Sequence, residues 1–432
     1  MYIFKKLLKT IDLILFVIIF LSFSTLQAKN LDKFNKADNI SNYFSGILLL
    51  NQSKFNDSYK YLKKLDGLEK NHLAYSSKFL YSLINSGNFN QAFLYSKKLE
   101  RENLDTFESD LIIGIYQFKN SKFEISSKYF LKAFNRNPRS LLESYIAKSL
   151  FIWSNLNIKE FEKAKLSLSE LDDRFENLKK IQNAFLHCFY NSDRTDLLFN
   201  KLTSDQNTDF SRYNYFQAKY LEKNNEIDKA KQIIRNSLKK YPRNLLLNQY
   251  KIDLKNSENN FDFDCKRKQH VAAEILYITA NALSSQSVYL LSNFYLNLSK
   301  FLNKDFHPFD SLMAENLYKI EDFSGAKKIY KKLSYNGSAF MWYSSKQISR
   351  MMILEENKEE SLKLLSKSFN DLPSKGIYEI FDYAEFLKNN EEFKESIEWY
   401  SLILKKINKK HPLFSEVTDD RGIAYERVGK WE

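Results

Sequence analysis

Glycine and proline are scarce in this chain of 432 residues, which contains 9 Gly and 5 Pro. A protein built from many short strands and tight hairpins needs more turn residues than this. Hydrophobic residues make up 44% of the chain and aromatic residues 16%, which is enough for a substantial buried core. The composition therefore predicts long helices joined by short loops, and so an all-α fold.

Cysteine is nearly absent, since Cys188 and Cys265 are the two in the chain. Neither has a second cysteine close by in the sequence, so the spacings typical of a zinc site and of a redox pair are both missing. We predict a pair of buried or unpaired thiols. A bridge between the two cysteines is the alternative if the chain is exported.

Motifs of nucleic-acid-binding modules are also missing, although the formal net charge is +13, from 66 Lys and Arg against 53 Asp and Glu. The basic residues are mixed with acidic ones along most of the chain. The sequence is also rich in Lys, Asn, Ile, Phe and Tyr together, as AT-rich coding would produce. We therefore attribute the charge to composition and expect no nucleic-acid partner; a functional basic face is the alternative.

The N-terminus carries the pattern of an export signal. Three lysines precede an apolar run at residues 11–23, polar sequence follows, and a cleavage site is expected after Ala28. We assign residues 1–28 to a signal peptide or, if the segment is not cleaved, to an N-terminal anchor in the inner membrane. In both cases the lysines stay in the cytoplasm, and the body of the protein reaches the periplasm.

Small residues recur along the chain at a regular spacing. Ser58, Ala92 and Ser126 are separated by two steps of 34 residues, and Gly46 and Gly114 stand twelve residues before the first and third of them. The series continues, mostly in steps of 34 or 35, at Ala164, Leu198, Ala230, Leu291, Ala326, Ser361 and Ser396. Each unit predicts two helices joined by a polar turn, with an aromatic residue after most turns.

This pattern resembles the tetratricopeptide (TPR) consensus, in which small residues stand at fixed positions of a 34-residue helix pair. The resemblance implies a TPR α-solenoid, a right-handed superhelix of antiparallel helix pairs. In such a pair, small side chains let two backbones approach closely where position 8 faces position 20. One pair cannot bury its apolar face alone, so neighbouring pairs stack into a continuous core.

The repeat period is lost after Pro242 and resumes near His270. We predict three segments after residue 30: an N-terminal TPR array at 31–255, a linker at 256–267 and a C-terminal TPR array at 268–432. The sequence from Val271 onward is similar to signal-bearing TPR proteins of the bacterial cell envelope.

The last residues resemble the first half of a repeat. Gly422 fits position 8 and Tyr425 position 11 of a first helix, while Trp431 fits the aromatic after the turn. A solenoid is expected to end in a polar capping helix. The array therefore ends in mid-repeat, and we expect the sequence to be a fragment of a longer protein.

Candidate catalytic groups are few. His187 and Cys188 are adjacent, but neighbours on a helix point about 100° apart and do not form a dyad. The pairs Asp172-Asp173 and Asp419-Asp420 are expected to open helices, where acidic residues interact well with the helix dipole. The sequence shows no glycine-rich phosphate loop and no metal-ligand cluster, so we predict no catalytic, cofactor or metal site.

A TPR array binds its partners on the concave face, which the resemblance assigns to positions 2, 5, 9, 12 and 13 of the first helices. Three units supply the candidate groove residues, namely Glu108, Leu111, Ile115, Phe118 and Lys119; Arg212, Tyr215, Lys219, Glu222 and Lys223; and Tyr378, Phe381, Glu385, Lys388 and Asn389. Aromatic anchors rimmed by polar groups suit peptide recognition. We select six as the partner-binding groove: Phe118, Tyr215, Lys219, Tyr378, Phe381 and Lys388.

A long surface without a water-excluding pocket favours recognition over turnover. The sequence therefore predicts a non-enzymatic scaffold or adaptor of the bacterial cell envelope that binds other proteins or peptides and needs no cofactor. The alternatives are a structural subunit of an envelope assembly, and the non-catalytic part of a longer enzyme that continues after Glu432.

Overall fold

The computed structural model describes residues 36–136, 140–205, 208–256 and 262–429. Within these ranges every regular element is a helix. The all-α prediction is therefore confirmed. The predicted signal or anchor at residues 1–28 lies outside the described residues, and no described helix has the length and apolarity that a membrane span requires.

The helices are numbered here in chain order. They are Ala37–Asn51 (α1), Phe55–Leu62 (α2), Leu73–Asn85 (α3), Phe89–Arg101 (α4), Phe107–Lys119 (α5), Phe123–Phe134 (α6), Leu141–Ser154 (α7), Phe161–Ser169 (α8), Glu176–Phe189 (α9), Thr195–Thr203 (α10), Arg212–Lys223 (α11), Ile227–Lys240 (α12), Leu245–Asn256 (α13), Lys268–Ser285 (α14), Tyr289–Leu302 (α15), Pro308–Lys319 (α16), Phe323–Leu333 (α17), Ser338–Leu354 (α18), Lys358–Asn370 (α19), Ile377–Asn389 (α20), Phe393–Lys406 (α21) and Phe414–Arg427 (α22). Short 3₁₀ turns occupy Lys63–Leu65, Leu68–Lys70, Asp173–Phe175 and Ser334–Asn336.

Ten pairs of consecutive helices match the ten predicted repeat units: α1/α2, α3/α4, α5/α6, α7/α8, α9/α10, α11/α12, α14/α15, α16/α17, α18/α19 and α20/α21. In these pairs the second helix begins three residues before the small residue of the series. That rule corrects one register, because α15 begins at Tyr289 and so places Ser292 rather than Leu291 at the small position. The arrangement is that of TPR helix pairs.

A serine hydroxyl joins the two helices of a pair at this position. Ser58 donates to the carbonyl oxygen of Gly46 over 2.8 Å, and Ser292 donates in the same way to Ala280 over 2.7 Å. The bond spans twelve residues across a short turn, so the two helices are antiparallel. A Cβ atom at Gly46 would lie 2.6 Å from Leu62 Cδ2, which shows why this crossing needs a small residue.

Nine of the ten turns within the pairs share one backbone feature, a residue with positive φ before the second helix, and the α7/α8 turn is the exception. It is Gly87 in one turn, with φ 78°, but serine, asparagine or glutamate elsewhere. The non-glycine examples are Ser53, Ser121, Asn191, Asn225, Ser287, Glu321, Glu356 and Glu391. Side chains disfavour this conformation, so the chain forms most of its turns without the residue that fits them best.

The chain divides into two compact units, and the boundary in the sequence falls between Tyr116 and Gln117. The first contains α1–α4 and most of α5, and its core includes Tyr75, Leu80 and Leu99. The second contains the remaining helices. The predicted joint at 256–267 lies within this second unit, and a division of the arrays there stays a prediction.

One helix of the second unit stands outside the repeat pattern. Helix α13 has no antiparallel partner in sequence, and it packs against α11, α12 and α18. The residues after it are not a solvated linker where the structure describes them, because Phe263 and Cys265 are buried. The loss of period in the sequence thus marks inserted structure within the second unit.

The two cysteines form a disulfide, which corrects the expectation of unpaired thiols. Cys188 lies near the end of α9 and Cys265 just before α14, with their Cα atoms 6.0 Å apart. The sequence separation of 77 residues gave no sign of this proximity. The bridge arises because the chain folds back after α13 and lays α14 along the first helices of the earlier pairs.

Candidate partner-binding site

The inner face of the second unit is the surface formed by the first helices α7, α9 and α11, together with residues 117–119 of α5. The chain's own residues 262–306, called here the covering segment, pack on this face. Helix α14 contacts α7, and Phe263 packs on Phe185 of α9 with ring centroids 5.5 Å apart. The surface that the sequence assigned to partners is therefore occupied from within the chain.

Arg212, at the start of α11, forms a bidentate contact between the inner face and the covering segment. Its Nε and Nη2 atoms donate to the two carboxylate oxygens of Glu274 over 2.7 and 2.9 Å. Its guanidinium lies 4.0 Å from the ring centroid of Tyr277. Burial raises the pKa of the Glu274 carboxyl, while the guanidinium acts in the opposite direction. Because the pair is bidentate and its Glu274 carboxylate is buried, it fixes α14 on α11.

Tyr215 and Lys219 are buried beside this pair, with exposed fractions of 2% and 9%. The Tyr215 hydroxyl donates to Asp262, and the Lys219 Nζ atom lies 3.0 Å from Glu222 and 3.8 Å from Asp262. Burial raises the pKa of the Asp262 carboxyl, although Lys219 lowers it. These side chains hold the covering segment and are almost wholly buried.

Residues of α5 are covered too. Phe118 is fully buried, and its carbonyl oxygen accepts a hydrogen bond of 3.2 Å from Gln269 Nε2. The Nζ atom of Lys119 donates to the carbonyl oxygen of Leu302 over 3.1 Å, and burial lowers the pKa of this ammonium group. In the first unit, the candidate residues Glu108, Leu111 and Ile115 are buried as well.

The third candidate group, on α20, is only partly covered. Phe381 is buried, with the guanidinium of Arg243 at 5.5 Å from its ring centroid. Lys388 forms an ion pair with Asp420, and its side chain is 14% exposed. Tyr378 stays partly exposed, with Arg243 at 5.6 Å from its ring. Of the six selected residues, Tyr378 and Lys388 are the two that stay partly exposed.

These placements correct the predicted groove. Phe118, Tyr215, Lys219 and Phe381 are core residues in this structure. The covering segment contacts the first three, whereas Phe381 packs into the core cluster of α18–α22. The structure also does not gather the six residues at one surface: Tyr215 and Lys219 lie together on α11, while Tyr378, Phe381 and Lys388 lie on α20. The repeat register gives the direction of a side chain but not what covers it.

Tyr378 lines an open cleft of about 570 Å³ between α13, the start of α18 and the start of α20. Its walls are largely apolar and include Leu238, Ile252, Trp342, Leu372 and Ile377. A cleft of this size and lining is suited to one or two side chains of a peptide.

Trp342 is one of the residues that line this cleft. Its side chain is 5% exposed and packs on Phe369, with ring centroids 5.7 Å apart. Its indole Nε1 has no hydrogen-bond acceptor among the described residues. The Nε1 atom is itself buried, so Trp342 contributes packing surface to the wall and no accessible donor.

The rim of the cleft is mainly cationic. Lys251 and Lys255 stand one turn apart on α13 and His411 lies opposite, whereas Glu379 is the carboxylate among the described lining residues. Helix α20 begins at the cleft, and its cap residue Gly376 offers no side chain to the first N–H groups. Apolar side chains flanked by carbonyl or carboxylate oxygens therefore match this lining best.

The candidate catalytic groups have structural contacts instead. His187 Nδ1 lies 2.9 Å from the hydroxyl of Ser192, while Cys188 is in the disulfide. Asp172 accepts the N–H of Arg174 over 2.9 Å and caps a 3₁₀ turn, as predicted. Asp420 does not open a helix, because α22 begins at Phe414. Among the described residues, no group of three or more His, Cys, Asp or Glu is placed to hold a metal ion.

The sequence missed the α13 wall of the cleft, which contains Lys251 and Ile252. A local signal for this helix does exist: Asn244 caps it by accepting the N–H of Leu247 over 3.1 Å, two residues after Pro242. The repeat search passed over it because α13 has no partner at the repeat spacing. Trp342 could not be found from the sequence, since its role depends on which helix faces it.

Three solved structures of helical-repeat proteins are similar to this chain. The TPR domain of P58(IPK) shares 15% identity, with 91% of this chain and 99% of that chain covered and a TM-score of 0.26. The Naa15/Naa10 complex bound to HypK-THB shares 13%, with 90% and 73% covered and a TM-score of 0.25. The APC/C hetero-tetramer Cut9–Hcn1 shares 14%, with 93% and 79% covered and a TM-score of 0.30.

No protein-family model matches the chain, and no curated protein matches it either. The TM-scores of the three structures are low, so the TPR-type fold is argued from the helix pairs themselves: their bounds, their twelve-residue crossings and their turns.

Proposed function

We propose that this chain is a non-enzymatic scaffold of the bacterial cell envelope that binds polypeptide partners at the cleft between α13, α18 and α20. The observation that carries the proposal is the combination of Tyr378, which stays partly exposed, with the largely apolar walls of the cleft and the two lysines of α13 that line it. This site replaces the inner face, which the covering segment occupies.

The lining indicates the chemistry of the partner. An extended segment with one or two apolar side chains would place them against Ile252 and Leu372. The two lysines of α13 favour acidic residues on either side of that segment. Such contacts are made by recognition modules and need no cofactor.

The cellular location is argued from two features. The charged and apolar pattern of residues 1–28 has the form of an export signal. The disulfide between Cys188 and Cys265 is of the kind that persists in oxidising compartments such as the periplasm. Both support a chain that is periplasmic, or anchored in the inner membrane and facing the periplasm.

The binding site is tested by photo-crosslinking in cells. A benzophenone amino acid at position 252 of the full chain is expected to crosslink a defined envelope protein, and Tyr378→Ala should reduce the yield about tenfold. The matched control is Tyr335→Ala, because Tyr335 is 77% exposed and lies outside this cleft. Equal crosslinking in the Tyr378→Ala chain would remove the cleft as the partner site.

Export is tested separately. Residues 1–40 fused to a phosphatase that is active only outside the cytoplasm should give enzyme activity in intact cells. The same fusion with Asp in place of Leu15 and Ile18 should be inactive, because charges in the apolar run block insertion. A silent parental fusion refutes export without affecting the test of the cleft.

A further inference from the structure

A second open cavity, of about 700 Å³, lies at the start of α14. Four segments meet there: the turn before α6, the loop between α7 and α8, the end of α9, and residues 266–269. The cavity shares no lining residue with the α13–α20 cleft.

Four cations line this cavity, and no carboxylate does so among the described residues. They are Lys159 from the loop after α7, and Lys266, Arg267 and Lys268 at the start of α14. Ile158, next to Lys159, is 81% exposed. Like charges that converge from segments about a hundred residues apart repel one another, so the arrangement needs an explanation.

Lys268 is accounted for by its own contacts. Its Nζ donates to the carbonyl oxygen of Leu156 over 2.7 Å, just beyond the C-terminus of α7, and lies 4.3 Å from the ring centroid of Phe123. Burial lowers the pKa of this ammonium group to about 8. Lys268 thus holds α14 against α7, and three cations remain without such a role.

Lys159, Lys266 and Arg267 are exposed, and none of the three makes an ion pair among the described residues. The nearest carboxylates are engaged elsewhere. Asp264 pairs with Lys223 and accepts the N–H of Lys266 over 2.9 Å, and Glu160 lies 3.3 Å from Lys163. The side chains of the three cations are therefore available to an external anion.

Basic residues at the start of α14 are in an electrostatically unfavourable position. Arg267 is the N-cap residue of this 18-residue helix, and no acidic residue stands in its first turn. The N-terminus of a helix favours negative charge, because its first N–H groups carry partial positive charge. Here three basic residues occupy that end instead, so protein and helix dipole both present positive potential to one cavity.

The disulfide fixes this geometry. Cys265 is bonded to Cys188 of α9 and directly precedes Lys266. His270 holds the same loop from the other side, since its Nδ1 accepts the N–H of Asp264 over 3.0 Å. The backbone at Lys266 and Arg267 is thus anchored at two points, which lowers the entropy lost when a ligand is bound.

We propose that this cavity binds a phosphate group, through Lys159, Lys266 and Arg267 and the N-terminus of α14. A multiply charged tetrahedral oxyanion matches several converging cations and a helix N-terminus better than a single carboxylate does. A guanidinium also presents paired donors that suit phosphate oxygens. The phosphate belongs either to a free anion or to the headgroup of an anionic lipid, beside which the exposed Ile158 would contact acyl chains.

The test measures both sources with the full chain after export. Inorganic pyrophosphate is titrated by calorimetry, and vesicles of phosphatidylcholine with and without cardiolipin are used in flotation assays. The double variant Lys266→Gln/Arg267→Gln is compared with Lys405→Gln/Lys406→Gln. The control pair has the same charge change, is exposed at the end of α21, and does not line the cavity.

We expect the cavity variant to weaken binding about tenfold and the control variant to leave it nearly unchanged, because charge-assisted contacts are lost in the first case only. Binding of pyrophosphate identifies a free anion as the source, and binding of cardiolipin vesicles alone identifies a lipid. Binding of neither probe overturns the proposal, as does equal weakening by the two variants. None of these outcomes depends on the partner-binding cleft.

Discussion

Two arginines in the second unit make the same kinds of contact in very different surroundings. Arg212 pairs with Glu274 and stacks on Tyr277, and its side chain is 19% exposed. Arg243 lies 3.0 Å from Asp382 and stacks on Tyr378, but its side chain is 51% exposed. The first is sealed by the covering segment; the second stands beside an open cleft.

The difference shows that position in a repeat does not determine access. Tyr215 on α11 and Tyr378 on α20 both lie near the start of a first helix and face the same side of their pairs. The first is 2% exposed, because Asp262, Tyr250 of α13 and Phe306 contact it. The second keeps exposed surface, because α13 leaves a gap in front of α20. Binding surface exists where the inserted helices leave room.

The largest expected effect separates the two arginines directly. Arg212→Leu leaves the buried Glu274 carboxylate without a partner, and we expect the free energy of unfolding to fall by about 3–5 kcal/mol. Arg243→Leu should cost about 1 kcal/mol or less, because its pair is solvated. Urea denaturation of both variants measures the difference. Equal losses would mean that the covering segment does not seal Arg212 in solution.

The next largest expected effect on the free energy of unfolding comes from the disulfide. Replacing Cys188 and Cys265 by serine removes a cross-link between residues 77 apart, and loop-closure entropy predicts a loss of about 4 kcal/mol. Reductant should lower the melting temperature of the parent to about that of the variant, and it should leave the melting temperature of the variant unchanged. A parent protein insensitive to reductant would contradict the bridge.

Low pH should lower the free energy of unfolding, because His270 is buried in the covering segment. Burial, followed by Arg267, lowers the pKa of this imidazole to about 4, so between that pH and its ordinary pKa the unfolded chain binds a proton that the folded chain does not. The contribution of neutral His270 to the free energy of unfolding is complete above pH ~6.5. About 2–3 kcal/mol of it is lost as the pH falls to ~4. His270→Asn, measured by urea denaturation at several pH values, should lack this component. A parallel pH dependence in both proteins would assign the loss to other groups.

The smallest expected effect concerns two turns, one in the α11/α12 pair and one in the α20/α21 pair. Asn225 in the α11/α12 turn and Glu391 in the α20/α21 turn both have positive φ, at 63° and 67°. Asparagine tolerates this conformation better than glutamate. Glu391→Gly should therefore stabilise the protein by about 1 kcal/mol, and Asn225→Gly by roughly half of that or less. Thermal denaturation gives both values, and a larger gain at Asn225 would contradict the argument.

The sequence was sufficient for the helix pairs because their crossings depend on local features. A small residue such as Ser58 or Ala92 allows close approach, and one repeat length places the next pair. The same reasoning did not find α13, which has no partner at that spacing. It also assigned Phe118 and Tyr215 to a surface, because burial by the covering segment depends on contacts between residues far apart in sequence. Phe381 was misassigned too, because it packs into the core cluster of α18–α22.

Contacts such as that between Gln269 and Phe118, 151 residues apart, were beyond a search based on spacing. The disulfide shows the same limit. What remained accessible to sequence reasoning at the site was Tyr378, whose position follows from the repeat register alone.

The order of the chain has a consequence for its synthesis. The helices that carry the inner face are made before residues 262–306, which later bury Phe118 and Tyr215. Until that later stretch emerges, an apolar surface of several helices stands open in an incomplete chain, where it is prone to aggregation. A nascent chain stopped near residue 255 should therefore depend on a holding chaperone far more than one that has reached residue 310.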